Sequence, residues 1–393
     1  MFGWELPPHN SGGLGVACYG LARGLAAAGV KIGFALPRRL GVEIPFLQLL
    51  EHELQDVEVT AINSLMASYM GVAEYNALRV TGRAERMRIY GNSLLDEAMR
   101  YGEMAAEWSR SQPHDIIHAH DWMTFPAGMR AKEVSGKPLV THVHATEYDR
   151  TGGSVNSDIA DIEYEGLNKA DRVIAVSEYT KNIVRQYYGI AAEKIHVVHN
   201  GVNFDEFSPM QIRQIFPNDK IVLYVGRLTL QKGVDYFVRA AEKVLAAEPK
   251  TIFLVVGSGD MERRLIMEAA FRGIGHRIIF AGFLTGEKLR MCYQMADVFV
   301  MPSVSEPYGL VALEAIAAGV PVIISKQSGV AETLSSVLKV DFWDIDRIAQ
   351  MIIEVLEYPN LAAEMVAAAK LEAAQMTWES AAYKTLAVYR QLI

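Results

Sequence analysis

Short apolar runs alternate with stretches of helical periodicity along the chain. In the second half, the runs rich in Val, Ile and Phe are 220–227, 251–259, 277–283, 297–303 and 320–325. In the first half, the corresponding runs are 31–37, 57–62, 115–120, 138–145, 172–177 and 194–199. Continuously apolar strands that are separated by helices are typical of a parallel sheet covered on both faces. The pattern therefore predicts an α/β protein with doubly wound sheets.

Length and linker composition predict two domains. The chain has 393 residues, more than one hydrophobic core usually supports. The segment "NGVNFDEFSPM" (200–210) follows a strand and is typical of a joint between domains. We expect an N-terminal domain over 1–203 and a C-terminal domain over 204–376. The last segment, 377–393, has apolar residues at helical spacing, which predicts an amphipathic helix.

Composition and charge exclude several classes of protein. Apolar residues make up 51% of the chain, charged residues 21%, and the net charge is −8. Lys and Arg form no basic stripe, so neither nucleic acid nor an anionic membrane is expected as a partner. Cys18 and Cys292 are far apart in sequence, which indicates a reducing compartment and no disulfide framework. The start "MFGWELPPHN" has neither a basic nor an apolar region of the signal-peptide type, and no apolar run approaches about 20 residues, so we expect neither a signal peptide nor a membrane span. We therefore expect a soluble, cytoplasmic protein.

A glycine-rich turn follows the first short apolar run. Only "MFGWE" precedes "LPPHNSGGLG", so either the first strand is stunted or the native chain begins earlier. Gly12 and Gly13 open a helix of small residues, where backbone amides and the helix N-terminus favour a phosphate group. The alternative is a turn without a ligand. The dinucleotide pattern G-x-G-x-x-G is absent from this turn and from "GSGDME" (257–262).

Two cations follow the strand that begins the second domain. Arg227 and Lys232 lie in "GRLTLQKG", on a loop that leads into a helix. Together they favour the binding of a diphosphate. Alone, an Arg and a Lys in a loop are more often solvated surface residues. The glycine turn and a pair of carboxylates elsewhere in the chain make the diphosphate clamp the better interpretation.

Four histidines lie at the ends of two predicted strands. His118 and His120 share one side of their strand, as do His142 and His144, and Asp121 is close by. A metal site is one interpretation, although neither a helical H-x-x-x-H pattern nor a cysteine accompanies these residues in sequence. The others are histidines with satisfied hydrogen bonds at the edge of the core, and ring nitrogens that bind sugar hydroxyls in a polar cleft. We expect no metal.

The segment "SVSEPYGLVALEAIAAGVPVI" (303–323) carries two carboxylates, Glu306 and Glu314. Pro307 suits the first turn of a helix that starts near Leu310. Because the following helix is apolar nearly all round, Glu314 is expected to be buried or half-buried and to need partners. Its carboxylate suits the vicinal hydroxyls of a ribose, and Glu306 suits a transferred sugar. A distal phosphate is expected at the free amides of Gly309, Leu310 and Val311.

These motifs together resemble those of retaining glycosyltransferases with the GT-B fold, in which two Rossmann-like domains face each other across a cleft. "SEPYGLVALEAIAAGVPVI" is similar to their E-x7-E segment, "GRLTLQKG" to their diphosphate clamp, and "SGGLG" to their glycine loop. "HAHDW" and "HATEYDRTGG" are similar to glycogen- and starch-synthase-like members of glycosyltransferase family 4. The family's E-P-F-G is E-P-Y-G here, which adds a hydroxyl at Tyr308.

The resemblance implies transfer of a glucosyl unit from ADP- or UDP-glucose to a glucan or oligosaccharide, with retention and without metal or cofactor. By the family pattern, Glu306 and His144 contact the donor sugar, while Asp121 and His120 lie on the acceptor side. The predicted donor site comprises Gly12, Gly13, Arg227, Lys232, Gly282, Phe283, Tyr308, Gly309, Leu310, Val311 and Glu314. The first two would lie against the phosphates, and "AGFLTGEK" (281–288) would offer backbone atoms to the base. The terminal helix would cross back onto the N-terminal domain.

Other functions remain open at this point. The chain is shorter than typical bacterial glycogen synthases, so a small-sugar or lipid acceptor is an alternative. Acceptor choice is expected to lie in N-terminal loops such as 63–91 and 146–165. A nucleotide-sugar epimerase on the same fold would release free sugar without any acceptor. A binding protein without catalysis would retain donor binding alone, and the missing fingerprint disfavours a nicotinamide dehydrogenase.

Overall fold

The structure, a computed structural model, describes residues 1–6, 12–38, 57–63, 93–207, 216 and 218–393. Within these ranges the strands are β1 (Ile32–Arg38), β2 (Val57–Asn63), β3 (Ile117–His120), β4 (Leu139–Val143), β5 (Arg172–Ala175), β6 (Ile195–Val197), β7 (Lys220–Val225), β8 (Thr251–Val256), β9 (Ile278–Gly282), β10 (Val298–Met301), β11 (Val322–Ser325) and β12 (Leu338–Val340). The α-helices are α1 (Gly13–Ala27), α2 (Leu94–Ser111), α3 (Phe125–Ser135), α4 (Glu147–Thr151), α5 (Ser157–Lys169), α6 (Glu178–Tyr188), α7 (Val234–Ala247), α8 (Glu262–Phe271), α9 (Gly286–Met295), α10 (Leu310–Ala318), α11 (Ile345–Glu357), α12 (Pro359–Ala373) and α13 (Trp378–Tyr389). Apart from Asn63, the predicted acceptor loop 63–91 lies outside the described residues, as do residues 208–210 of the predicted joint.

The chain forms two compact units. The first contains Met1–Glu147, Val155–Gly201 and Trp378–Ile393, and the second contains Tyr148–Ser154 and Val202–Thr377. The seven-residue segment Tyr148–Ser154 comes from the N-terminal half of the sequence but groups with the second unit. Its Asp149 carboxylate accepts a hydrogen bond of 2.6 Å from the Ser305 hydroxyl.

A parallel sheet with Phe2 at its centre forms the first unit. β1 pairs with β2, and β3, β4, β5 and β6 pair in that order. Phe2 forms parallel bridges to Ala35 in β1 and to Ala119 in β3, so the first apolar run lies between these strands. The sheet therefore winds outward in both directions from Phe2, which is the order of a Rossmann-like domain.

The second unit has a six-stranded parallel sheet in the order β12-β11-β10-β7-β8-β9. The chain runs from β7 through β8 to β9 on one side, and then returns to build β10, β11 and β12 on the other. Its winding therefore reverses between β7 and β10. The prediction of two doubly wound α/β domains is confirmed. The edge strand β12 was not predicted, because its three residues include Lys339 and form no apolar run.

Several helices cover these sheets with one apolar face, whereas α10 is apolar nearly all round. In α11, for example, Ile348, Ile352 and Val355 are buried, whereas Gln350 is exposed. Helices of this kind contribute hydrophobic surface to a core and keep their opposite face polar. In the described ranges, no helix combines the length and the apolar character that crossing a bilayer requires.

The terminal helix α13 packs against α1 through glycines. A Cβ atom added to Gly20 would lie 2.2 Å from the Trp378 indole ring, and one added to Gly24 would lie 2.5 Å from the Trp378 carbonyl oxygen. The two helices can approach this closely only where α1 lacks side chains. The small residues of α1 are therefore required for its packing against α13, and not only for the glycine turn at its start.

We expect Gly24→Ala to lower the free energy of unfolding by about 1–3 kcal/mol, the usual cost of overpacking a well-packed contact. The clash is with backbone, which cannot rotate away as a side chain can. Urea denaturation followed by tryptophan fluorescence measures this change. Gly13→Ala, in the first turn of α1, is the matched control, because its added Cβ meets no atom within 4 Å. Equal destabilisation by both substitutions would contradict this account of the packing.

Candidate active site

An ion pair between a half-buried lysine and a buried glutamate lies where the winding of the second sheet reverses. The ammonium group of Lys232, on the loop after β7, donates hydrogen bonds of 2.9 and 2.7 Å to the two carboxylate oxygens of Glu306, on the loop after β10. Glu306 is only 6% exposed, and the Ser303 hydroxyl donates a further bond of 3.1 Å to its Oε2. In open parallel sheets, ligands bind outside the carboxyl ends of the strands at this reversal point. The pair therefore lies at the position where a ligand site is expected.

The two loops that carry this pair are tied together by backbone contacts. The amide of Val304 donates a hydrogen bond of 2.9 Å to the Gln231 carbonyl oxygen. Gly233 has φ +64°, and a Cβ added there would lie 1.9 Å from the carbonyl oxygen of Pro302. Glycine is therefore required at this close approach. Gln231 is buried and was missed by the sequence analysis, because nothing in "TLQKG" distinguishes it from a loop residue.

The turn after Glu306 is held by the loop after β11. The Glu306 amide donates to the Gln327 carbonyl oxygen, and the amide of Val330 donates to the Tyr308 carbonyl oxygen, at 2.9 and 2.7 Å. Tyr308 is buried. Helix α10 begins at Leu310, as expected, with Gly309 as its N-cap at φ +112°. Pro307 lies before the helix, so its predicted place in the first turn is wrong; the positive φ of Gly309 breaks the helical path ahead of Leu310.

Glu314 lies one and a half turns into α10 and is half-buried, as its apolar surroundings predict. The buried Tyr293 hydroxyl of α9 donates a hydrogen bond of 2.7 Å to its Oε2. Burial raises the pKa of Glu314 above its ordinary value, and the hydrogen bond from Tyr293 opposes this shift. Leu310 and Val311, in the first turn of the same helix, are also half-buried. The helix thus presents its first amides and a carboxyl group at one edge of the sheet.

Arg227 follows β7 on the same loop as Lys232. Its guanidinium donates a hydrogen bond of 3.3 Å to the side-chain oxygen of Gln231. The loops after β7, β8 and β9 are joined in series, since Gly226 donates to Val256 and Gly257 donates to Gly282. Gly282 ends β9 at φ +70°, and the side chain of the next residue, Phe283, is 58% exposed. All predicted donor-site residues of the second domain therefore lie on the carboxyl-terminal edge of one sheet.

Four histidine rings stack in the first unit. The register pairs His120 of β3 with His142 of β4, so the rings of His118, His120, His142 and His144 share one side of the sheet. The ring pairs 118–120 and 142–144 stack at centroid distances of 4.4 and 4.2 Å. Hydrogen bonds of 3.2 and 3.0 Å join His118 to His142 and His120 to His144, and the hydroxyl group of Tyr389 lies 2.5 Å from His118 Nδ1.

This histidine cluster is electrically neutral. Burial lowers the pKa of His144 to about 3 and lowers the pKa values of His118, His120 and His142 well below their ordinary value of 6.5. Once one ring is charged, it also disfavours a charge on the neighbouring rings. Neutral imidazoles retain one lone pair each, so they can accept a hydrogen bond from a hydroxyl group or bind a metal ion.

Asp121 connects the loops after β3 and β4. Its carboxylate Oδ1 accepts hydrogen bonds from the amides of His144 and Ala145 at 2.7 and 3.3 Å. Among the residues that the structure describes, Asp121 alone combines a side chain with a positive φ, at +59°. Such strain is often found at functional sites, where surrounding contacts compensate for it.

The predicted glycine turn lies at the start of α1, with Gly12 as N-cap and Gly13 as the first helical residue. The buried carboxylate of Glu5 accepts a hydrogen bond of 3.2 Å from the Gly15 amide. An acidic residue therefore already occupies part of this helix N-terminus, and the sequence analysis missed it. Gly13 leaves open space, since an added Cβ would meet no atom within 4 Å.

The structure also brings a cysteine to the histidine cluster. The Cys18 Sγ atom and one ring nitrogen each of His120 and His144 lie within 4.8 Å of one another. No cysteine lies near these histidines in the sequence, because Cys18 precedes them by about 100 residues; α1 brings it to the cluster. The predicted site residues thus form two sets, one in each unit.

Comparison with known families identifies the chain. The model of the family "Glycosyltransferase Family 4" matches residues 11–206, and that of "Glycosyl transferases group 1" matches residues 207–372. An uncharacterized glycosyltransferase of Methanocaldococcus jannaschii is 31% identical over 410 residues, covering 99% of this chain and 97% of its own. The chain belongs to glycosyltransferase family 4. The resemblance seen in the sequence is confirmed at this level.

Other relatives of this glycosyltransferase act on different acceptors according to their names. Glycogen synthase of Mycobacterium tuberculosis is 28% identical over 400 residues, covering 99% of this chain and 93% of its own. D-inositol 3-phosphate glycosyltransferase of Acidothermus cellulolyticus is 33% identical over 304 residues, or 71% of this chain and 68% of its own. Family membership therefore establishes the class of enzyme and leaves the substrates to be proposed.

Solved structures confirm the GT-B fold of the enzyme. Sucrose-phosphate synthase from Thermosynechococcus elongatus superimposes with a TM-score of 0.78 at 22% identity, covering 100% of this chain and 98% of its own. Anabaena HepE, solved with UDP and glucose, gives a TM-score of 0.74 at 20% identity, with the same coverage. At these identities the likeness concerns the fold alone.

The neutral histidine cluster predicts that acid destabilises the first unit. Below pH 6.5, unfolded histidines bind protons that the folded cluster excludes, so the free energy of unfolding falls as pH falls. The slope is about 1.4 kcal/mol per pH unit for each histidine that stays neutral. Urea unfolding at pH 7.5, 6.5 and 5.5 measures it, and four of the five tryptophans (Trp4, Trp108, Trp122 and Trp378) report on this unit.

His118→Leu is the matching variant for this test. It removes one of the histidines that stay neutral in the folded state. The free energy of unfolding should therefore fall less steeply between pH 6.5 and 5.5, by the slope that one histidine contributes. A free energy of unfolding that does not change between pH 7.5 and 5.5 in the parent enzyme would contradict the neutral cluster.

Proposed function

We propose that the enzyme transfers a glucosyl unit from ADP- or UDP-glucose to a glucan or oligosaccharide acceptor, with retention of the anomeric configuration and without a metal or cofactor. The observation that carries this proposal is the ion pair between Lys232 and the buried Glu306 at the reversal point of the second sheet. It combines a cation for the diphosphate and a carboxylate for the sugar within one contact. Full-length similarity to a glycogen synthase supports the glucan acceptor.

The roles of the second-domain residues follow from their charges and exposure. An ammonium group has three donors, so Lys232 can hold Glu306 and still donate to a phosphate oxygen. Arg227 would bind the diphosphate beside it, and the first amides of α10, at Leu310 and Val311, would hold its distal phosphate. Glu314, oriented by Tyr293, would accept hydrogen bonds from the ribose hydroxyls.

The proposal also includes the remaining predicted contacts, which fewer observations in the structure support. Gly282 and the exposed Phe283 would lie against the base, and the turn at Tyr308 and Gly309 would shape the phosphate site. In the first domain, Gly12 and Gly13 would lie against the phosphates, although Glu5 limits the positive potential there. His144 would contact the donor sugar, with His120 and Asp121 on the acceptor side.

The chemistry requires no separate base. The bond between the anomeric carbon and the diphosphate oxygen breaks, and both electrons stay with the diphosphate. Arg227, Lys232 and the α10 amides stabilise the charge that develops there. The acceptor oxygen attacks from the same face, and its proton passes to the departing phosphate oxygen. Glu306 stabilises the positive charge that develops on the sugar ring, and we assign it this electrostatic role instead of a nucleophilic one.

An assay of nucleoside diphosphate release tests the proposal. ADP-glucose and UDP-glucose are each offered with and without glycogen or malto-oligosaccharides, and with a phosphorylated polyol as an alternative acceptor. We expect release with one donor only, and only when a glucan is present. Release that needs no acceptor would favour an epimerase or hydrolase, and release that needs the polyol would favour a small-acceptor transferase, as the similarity to inositol phosphate glycosyltransferases allows.

Glu306→Gln is expected to lower kcat by about 100-fold or more, the usual cost of removing one electrostatic contact to a transition state. It keeps the size of the side chain and its hydrogen-bonding oxygen, whereas Glu306→Ala removes both. Glu357→Gln, an exposed carboxylate at the end of α11, is the matched control and should retain full activity. Equal kcat values for the Glu306 and Glu357 variants would overturn the assigned role.

A further inference from the structure

Cys18, His120 and His144 form a cluster of potential metal ligands in the first unit. Cys18 lies on α1, His120 ends β3, and His144 follows β4. Cys18 and His120 are fully buried, whereas His144 is half-buried. A small ion from solvent could therefore reach the cluster from the His144 side.

The distances within the cluster suit a tetrahedral ion. His120 Nδ1 and His144 Nε2 are 3.0 Å apart, and the Cys18 Sγ atom and one ring nitrogen of each histidine are within 4.8 Å of one another. Zinc bonds of about 2.0–2.1 Å to nitrogen and 2.3 Å to sulfur place one sulfur and two nitrogen ligands about 3.3–3.6 Å apart in a tetrahedral site. Shifts of about 1.3 Å or less would bring these atoms to that spacing.

The chemistry of the donor set is that of a zinc site. One thiolate and two neutral imidazoles are ligands that zinc prefers over the hard cations magnesium and calcium. The buried Nε2 atom of His120 also has no hydrogen-bond partner among the described residues. Buried polar atoms without partners are uncommon and call for an explanation, such as an ion that is bound beside them.

A second triad, His118, His120 and His142, has similar spacing. All three of its residues are buried, and it contains no sulfur. The hydrogen bonds from His118 to Tyr389 and to His142 already engage both of its ring nitrogens. The triad with Cys18 is therefore the better site, since it offers a thiolate and a path from solvent.

We propose that Cys18, His120 and His144 bind one Zn²⁺ ion, with the Cys18 thiol releasing its proton to solvent as the zinc–sulfur bond forms. Bound zinc occupies a ring nitrogen of His144, which would otherwise contact the donor sugar. Zinc therefore inhibits transfer reversibly. This consequence rests on the proposed function, whereas the binding of the ion does not.

Cobalt binding to the full-length protein tests the site directly. Co²⁺ takes the same ligands as zinc, and a cobalt–thiolate bond gives a charge-transfer band in the near ultraviolet. The parent protein should show this band at one equivalent of Co²⁺ and lose it when Zn²⁺ is added. The chain has two cysteines, so Cys18→Ser should abolish the band, and Cys292→Ser, in α9 of the second unit, should leave it unchanged.

Competition with a chromophoric chelator gives the affinity for zinc. Cys18→Ser should weaken it by about 100-fold or more, because even the loss of a residue that only orients a ligand costs about 10- to 100-fold. Cys18→Ala is a second variant, and circular dichroism of both checks that they fold. No cobalt–thiolate band in the parent protein, or a band that persists in a folded Cys18 variant, would overturn the site.

Inhibition is measured separately, by nucleoside diphosphate release with and without Zn²⁺. Zinc should inhibit the parent enzyme and the Cys292→Ser variant, and a chelator should restore both. Cys18→Ser should keep its metal-free activity and resist the same zinc concentration. If the cobalt band is present but no donor or acceptor supports release, the proposed function fails and the metal site stands. If Cys18→Ser is inhibited as strongly as the parent enzyme, the inhibitory role is refuted.

Discussion

The ion pair between Lys232 and Glu306 is the contact on which the candidate site depends. It joins the loops after β7 and β10, the two neighbouring strands from which the second sheet winds in opposite directions. Loss of Lys232 would leave the buried Glu306 carboxylate without compensation, which usually costs about 3–5 kcal/mol. Under the proposed function, the same pair would supply both charges that glycosyl transfer from a diphosphate requires. Stability and the proposed chemistry would then both depend on these two residues.

The corresponding edge of the sheet in the first unit carries neutral groups. Its sheet also reverses, at Phe2, and the residues that gather beyond β3 and β4 are four uncharged histidines and the strained Asp121. Burial keeps the rings neutral, so they can accept hydrogen bonds but carry no positive charge that would attract an anion. Under the proposed function, a sugar hydroxyl of the acceptor would suit this surface. The two units therefore share a topology but offer different chemistry at the corresponding edge.

Much of this organisation could be predicted from the sequence because it depends on local patterns. Continuous apolar runs identified eleven of the described strands, and the apolar surroundings of Glu314 predicted its burial. The contacts that were missed join residues far apart in the chain. Cys18 reaches the histidines through α1, and Tyr293 reaches Glu314 from another helix. The segment Tyr148–Ser154 gave no sequence signal that it would pack with the second unit.

The most direct test of the central claim is a calorimetric titration with UDP and ADP of the Glu306→Gln variant and of the double variant that also carries Lys232→Met. Both variants avoid an unpaired buried carboxylate, so they differ only in the cation. If Lys232 binds the diphosphate, the double variant should bind the preferred nucleotide about 10- to 100-fold more weakly, the value of a charged hydrogen bond of about 1.5–3 kcal/mol. Equal dissociation constants for the two variants would contradict the claim that this ion pair forms part of the donor site.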